Sequence, residues 1–129
     1  MKILFLCPHG GAKSVMAASY FNRLAQEHAL PQVAVAAAAE DPYDAVPEPV
    51  AGLLERDGFD VRTFTPRRVE DDALKSATRV IGIGCGLAGV EHWDDVPQAS
   101  EDLHGSAAAI RRHVEELVEE LRTERRGRP

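Results

Sequence analysis

The segment Cys7-Pro8-His9-Gly10-Gly11-Ala12-Lys13-Ser14 puts a thiol, an imidazole, two adjacent glycines, an ammonium and a hydroxyl within one short stretch. The apolar run Ile3-Leu4-Phe5-Leu6 precedes it and a helical pattern follows. It is therefore expected to join a buried strand to a helix N-terminus. At such a junction unpaired backbone N–H groups and the positive end of the helix dipole converge, and the loop attracts an anion. Gly10 and Gly11 let the backbone turn its N–H groups inward and let an anion come close. Lys13 adds a full positive charge. This field favours the thiolate form of Cys7. A thiolate facing an oxyanion cradle is a nucleophile facing its substrate.

Blander readings fit parts of the same segment. Free cysteine is among the most buried residue types, so Cys7 and Cys85 could each be a small core residue. Ser14 could be an ordinary helix N-cap, which leaves the glycine pair and the cysteine before it without a reason. The His9 ring could help favour the thiolate of Cys7, but a loop histidine that lends only its backbone N–H is the preferred reading. Lys13-Ser14 also ends a nucleotide-binding P-loop, but that motif needs glycine where Cys7 and Ala12 stand. No aspartate ends the run Arg79–Gly84, where a magnesium site would require one. Nucleotide hydrolysis is excluded on both counts. Cys7, His9, Cys85 and His92 have the chemistry of zinc ligands, but Cys-x-His and Cys-x6-His are unusual structural spacings, and no metal is expected.

The elements that must position these groups are legible in the hydrophobic pattern. Residues 2–6 read as a buried strand, and Ser14 is expected to cap a helix that runs to about Ala29 with Ala17, Phe21, Leu24 and Ala25 on its inner face. The alanine-rich run 32–39, between Pro31 and Glu40-Asp41-Pro42, is read as a second buried strand despite alanine's helix propensity. Pro47 opens a second helix, carried by Val50, Leu53 and Leu54 and ended by Asp57-Gly58. A short helix is expected over Val69–Ala77, a third strand over 79–84, and a short fourth strand over Val90–Asp94. Ile110, Val114, Leu117, Val118 and Leu121 mark a terminal helix from about Ser106 to Arg122. Strands alternating with helices imply right-handed βαβ units and a parallel sheet covered on both faces. Ligands sit at the carboxyl ends of such strands, which is where both Cys7 and Cys85 fall.

Cys-x5-Lys-Ser with its preceding apolar strand resembles the Cys-x5-Arg-Ser loop of the low-molecular-weight protein tyrosine phosphatases and the arsenate reductases built on the same fold. The similarity continues through Ala39-Glu40-Asp41-Pro42, Pro49-Val50, Leu53-Leu54, Gly58-Phe59-Asp60 and Pro66-Arg67-Arg68. Arg79–Cys85 is similar to the strand that in the reductases ends in a resolving cysteine. Trp93-Asp94-Asp95-Val96-Pro97 is similar to the family's late loop, which holds a general-acid aspartate. The resemblance implies a single three-layer flavodoxin-like α/β domain, with a four-stranded parallel sheet or three strands plus a short fourth. It implies Cys7 as nucleophile, Lys13 in place of the oxyanion-binding arginine, and Ser14 bonded to the thiolate. The loop Pro8, His9, Gly10, Gly11, Ala12 and Lys13 would hold the oxyanion, Cys85 would be a possible resolving thiol, and no cofactor is implied. The activity expected is phosphomonoester hydrolysis through a phosphocysteine. The alternatives are arsenate reduction, using Cys85 or a small thiol, and an oxyanion or phospho-partner binder without turnover.

Three departures from the family pattern bear on that activity. An ammonium cannot make the two-pronged contact of a guanidinium, a loss on the order of a few kcal/mol of transition-state stabilisation. Gln98-Ala99 stands where the family has Asp-Pro, so Asp95 or Asp94 would have to act as general acid by a shifted route. Only the five residues Gly86–Val90 separate Cys85 from Glu91, whereas a parallel crossover normally takes a dozen or more.

Composition sets the outer limits. The 129 residues are one domain's worth, expected as a domain over 1–122 followed by a basic tail over 123–129. With one Trp, two Tyr and four Phe, the core must be aliphatic. Fifteen Lys and Arg against 21 Asp and Glu leave a charge of −6, which argues against nucleic-acid or anionic-membrane surfaces. The two cysteines are too few for a secreted disulfide scaffold, and the first apolar run is too short for a leader, so a cytoplasmic setting is expected. Partners are then a phosphate- or arsenate-like oxyanion, a phosphorylated protein, and a thiol reductant if the chain is a reductase.

Overall fold

In the computed structural model, which describes residues 1–127, the apolar run becomes β1 (Lys2–Cys7). Ile3, Leu4, Phe5 and Leu6 are all fully buried because β1 is central in the sheet and covered on both faces. It pairs in parallel with β2 (Val33–Ala38) on one side and β3 (Arg79–Ile83) on the other. β4 (Glu91–Trp93) adds to β3, giving the all-parallel order β2-β1-β3-β4. That is the flavodoxin-like order, with its switch point between β1 and β3.

The alanine-rich run is strand because tertiary pairing overrides propensity: every residue of β2 faces a partner on β1, from Lys2↔Val33 to Cys7↔Ala38. Its outer edge is partly closed by Asn22, whose side chain bonds both the N–H and the C=O of Ala34, at 2.7 and 3.0 Å. The short crossover into β4 is possible because β4 has three residues and starts opposite Ile81. The seven residues 84–90 need to return only about 7 Å along β3, at about 3.3 Å per residue, instead of its full length.

Four helices complete the layers: α1 (Lys13–Glu27), α2 (Glu48–Arg56), α3 (Asp71–Ser76) and α4 (Leu103–Arg126). Val15, Met16 and Phe21 of α1, Val50 and Leu54 of α2, and Ile110, Val114 and Val118 of α4 pack with Ile3, Phe5, Ile81 and Ile83. On the other face Leu4, Leu6, Ala37 and Cys85 lie under Ala73 and Leu74 of α3, with Val69, Val80 and Leu87. The terminal helix starts three residues earlier than the hydrophobic pattern marks, because Asp102 caps it by accepting from Gly105 N at 2.9 Å. It also runs on through Arg126, so residues 123–126 of the expected tail are helical; Arg128 and Pro129 lie outside the described residues.

Candidate active site

The loop from Cys7 to Ser14 is folded against the carboxyl end of β2. The carbonyls of Cys7, Pro8 and His9 accept from the N–H groups of Ala39, Glu40 and Tyr43, at 3.0, 2.9 and 3.0 Å. With its carbonyls turned to that side, the loop leaves its N–H groups to the other. Among the described residues no protein acceptor takes the N–H of His9, Gly10, Gly11, Ala12 or Lys13. Gly10 makes the turn at φ +66°, and a Cβ there would stand 2.7 Å from the backbone nitrogen of Ala38. Gly11 is required by space instead, since its Cβ would meet the Tyr43 ring at 2.9 Å.

Ser14 is not the helix cap expected of it. α1 begins two residues earlier, at Lys13, with Ala12 at the cap position and no side-chain bond closing the end. The serine turns instead to the thiol. Cys7 donates to Ser14 Oγ at 3.1 Å and accepts from Ser14 N–H at 3.4 Å. Once the thiol proton has gone, the hydroxyl can rotate and donate back, so a thiolate would keep both partners. Lys13 is buried at 5% exposure, and among the described residues no carboxylate pairs with it. Its ammonium lies beside Gly84 (φ +68°), where any Cβ would overlap it. A buried ammonium without a counter-charge is costly unless an anion completes it.

Cys7 and Lys13 line one cavity of about 300 Å³, with Pro8, His9, Ala12, Tyr43, Pro47, Pro49, Val50, Gln98, Ala99 and Ser100; Gly10, Gly11 and Ser14 lie behind its wall. Gln98 and Ala99 are therefore at the cavity wall, and no carboxylate side chain is among the lining residues. The expectation for Asp95 needs correction. Its carboxylate bonds His113 Nε2 at 2.6 Å and meets Arg112 at 3.5 Å, both on α4 and outside the cavity lining. The His113 hydrogen bond, ahead of its charge and that of Arg112, holds Asp95 below the usual carboxylate range. That is the wrong direction for a proton donor. Asp94 does not line the cavity either; its carboxylate lies 4.0 Å from His92 Nδ1.

Cys85 is also placed away from the role proposed for it. By strand alternation Cys7 follows Ile3 and Phe5, while Cys85 packs with Leu4 and Leu6 on the opposite face. Its sulfur lies over Gly82, where a Cβ would stand 2.7 Å from it, and both cysteines are free. The sheet therefore separates the two thiols. The same separation breaks up the zinc-type set: among the described residues no three His, Cys, Asp or Glu side chains are placed to hold a metal ion. Sequence reading missed Tyr43 and Ser100 as cavity walls and Gly84 as the neighbour of Lys13. An aromatic residue among turn residues (Asp41-Pro42-Tyr43-Asp44) was the available signal for the first.

No protein-family model matches the chain. A curated relative from Halobacterium salinarum, described as "Putative arsenate reductase", is 31% identical over 85 residues. The match takes in 65% of this chain and spans 60% of the length of that relative. The solved arsenate reductase of Archaeoglobus fulgidus superposes with a TM-score of 0.71 at 26% identity, covering 92% of this chain and 97% of its own. The low-molecular-weight protein tyrosine phosphatase of T. tengcongensis gives 0.80 at 18% identity, covering 93% and 99%. The four-stranded parallel sheet and its helices are thus the fold that these phosphatases and reductases share.

Proposed function

We propose that this chain, on the fold common to low-molecular-weight tyrosine phosphatases and arsenate reductases, is a cysteine-dependent phosphomonoesterase. One observation carries the reading: Lys13, whose buried ammonium has no carboxylate partner among the described residues, lines the same cavity as Cys7, beside five unclaimed backbone N–H groups. A phosphoryl group seated there would have its oxygens on the loop N–H groups and Lys13, and its phosphorus facing Cys7 Sγ. The thiolate forms the S–P bond as the P–O bond to the leaving group breaks. Water then attacks phosphorus, phosphate departs and the thiolate returns. Ser14 stabilises the thiolate in both steps.

The size and lining of the cavity favour an ester over a bare oxyanion. A single oxyanion has the volume of a few waters, at about 30 Å³ each, and would leave most of the space empty. Tyr43, Pro47, Pro49, Val50 and Ala99 offer apolar wall to an organic group such as an aryl ring. A phosphorylated protein side chain has that shape, and the cytoplasm is the setting proposed for it.

Arsenate reduction is the second reading, favoured by the cavity's lack of a carboxylate and by the name of the curated relative. Cys7 would displace hydroxide from arsenate. A thiol would then attack Cys7 Sγ, the S–As electron pair would remain on arsenic, and arsenite would leave Cys7 in a disulfide. The packing of Cys85 with Leu4 and Leu6 favours a second thiol supplied by another molecule over Cys85.

Turnover of p-nitrophenyl phosphate under reducing conditions, wild type beside Cys7→Ser and Cys85→Ser, tests the first reading. We expect activity in wild type and Cys85→Ser and none in Cys7→Ser. Thiol-dependent arsenite release without phosphatase turnover would transfer the assignment to the reductase. Phosphate binding without either product would make the chain an oxyanion binder.

A further inference from the structure

The cavity poses a chemical problem that the loop does not solve. A leaving alkoxide or phenoxide needs a proton, yet no carboxylate lines the wall and Asp95 is tied to His113 outside it. Lys13 and Cys7 have other work, one on the phosphoryl oxygens and one on phosphorus. The remaining lining groups that can exchange a proton are His9 and Tyr43.

His9 is held in a way that Tyr43 is not. Its Nδ1 lies 2.8 Å from the carbonyl oxygen of Asp41, and a carbonyl can only accept, so Nδ1 carries the hydrogen. Nε2 is then the nitrogen left to gain or lose a proton. The ring packs against that of Tyr43, with centroids 4.6 Å apart, and this contact together with the Asp41 bond restricts its rotation. The backbone carbonyl of His9 is likewise fixed, accepting from Tyr43 N–H at 3.0 Å. A ring so anchored, two residues from the nucleophile and lining the same cavity, is a pre-oriented proton carrier.

We propose that His9 is the general acid and base of this site, in place of a carboxylate; the proposal rests on the phosphomonoesterase reading above. In the first step Cys7 Sγ forms its bond to phosphorus, the ester P–O bond breaks, and imidazolium Nε2–H passes its proton to the leaving oxygen. In the second, neutral Nε2 takes a proton from the attacking water as the new P–O bond forms. The P–S bond then breaks, and thiolate, imidazolium and phosphate result. The Asp41 carbonyl, by accepting from Nδ1, stabilises the charged ring before the first step and after the second.

Leaving-group dependence tests the assignment. The substrates are phenyl phosphate, which releases a basic phenoxide, and p-nitrophenyl phosphate, whose leaving group needs little help. The variant is His9→Asn, whose side-chain amide can still donate toward Asp41. We expect kcat/KM, which reports the ester-cleavage step, to fall on the order of 10²-fold on phenyl phosphate and far less on p-nitrophenyl phosphate. The inhibition constant of inorganic phosphate should stay within about twofold of wild type, as should that of His9→Gln, since the oxyanion cradle is backbone and Lys13. Equal losses on both substrates, or no loss on phenyl phosphate, would overturn the assignment while leaving the phosphomonoesterase reading intact. Wild-type protein inactive on both esters would remove that reading, and His9's role with it.

Discussion

Lys13 carries the sharpest contrast between what a residue costs the fold and what it does for the site. Burying an ammonium without a carboxylate is unfavourable, and only an incoming anion offsets it. Lys13→Met keeps most of the volume and removes the charge. We expect inorganic phosphate to bind about 10–100-fold more weakly, the worth of one charge-assisted hydrogen bond of about 1.5–3 kcal/mol. The melting temperature should be no lower than that of wild type, because a buried unpaired charge has gone. Competitive inhibition by phosphate and thermal denaturation read the two effects separately. Unchanged phosphate affinity with a lower melting temperature would make Lys13 a structural residue. Gly84 belongs to the same account, since its missing Cβ is the space the ammonium occupies.

Between elements, α1 is tied to its neighbours by a polar contact that also sets a pH dependence. Tyr20 of α1 donates its hydroxyl to Asp57 at the end of α2, at 2.7 Å, and Arg111 of α4 approaches both. Burial first, and then the Asp57 hydrogen bond, push the Tyr20 phenol up to about 12. An unfolded tyrosine loses its proton near pH 10. Its contribution to stability is therefore complete below about pH 10 and is lost as pH rises towards 12, because in that window the unfolded chain releases a proton that the folded chain keeps. Tyr20→Phe should be less stable at neutral pH by about 1 kcal/mol, the worth of one hydrogen bond. Its stability should also decline less steeply than that of wild type between pH 10 and 12. Urea titrations at pH 8, 10 and 11.5 give both quantities, and parallel decline in the two proteins would contradict the assignment.

For the molecule as a whole, the parallel sheet decides what the two cysteines can do together. Cys7 and Cys85 both follow strands at the same end, and that much is legible from where the apolar runs stop. Their side chains nonetheless leave the sheet on opposite faces. Treatment with arsenate or mild peroxide should accordingly leave no internal Cys7–Cys85 disulfide, and intact mass with thiol counting should find any oxidation product of Cys7 as an adduct with an added thiol. An internal disulfide in good yield would mean that the loop at 84–90 swings Cys85 across. By itself the sequence determined the strand and helix order, the buried β1, the anion-seeking loop and the absence of glycine where a P-loop needs it. All of these are local, because they depend on periodicity, turn residues and neighbours a few positions away. It also showed Gln98-Ala99 in a place where a carboxylate was looked for. Only the tertiary structure decided that Ser14 serves the thiol instead of capping α1, that Asp95 turns to His113, and that His9 is anchored on Asp41. Each of those outcomes depends on a partner brought in from a distant part of the chain. A side chain's direction out of a sheet or loop is fixed by packing on that partner, which residue spacing does not record.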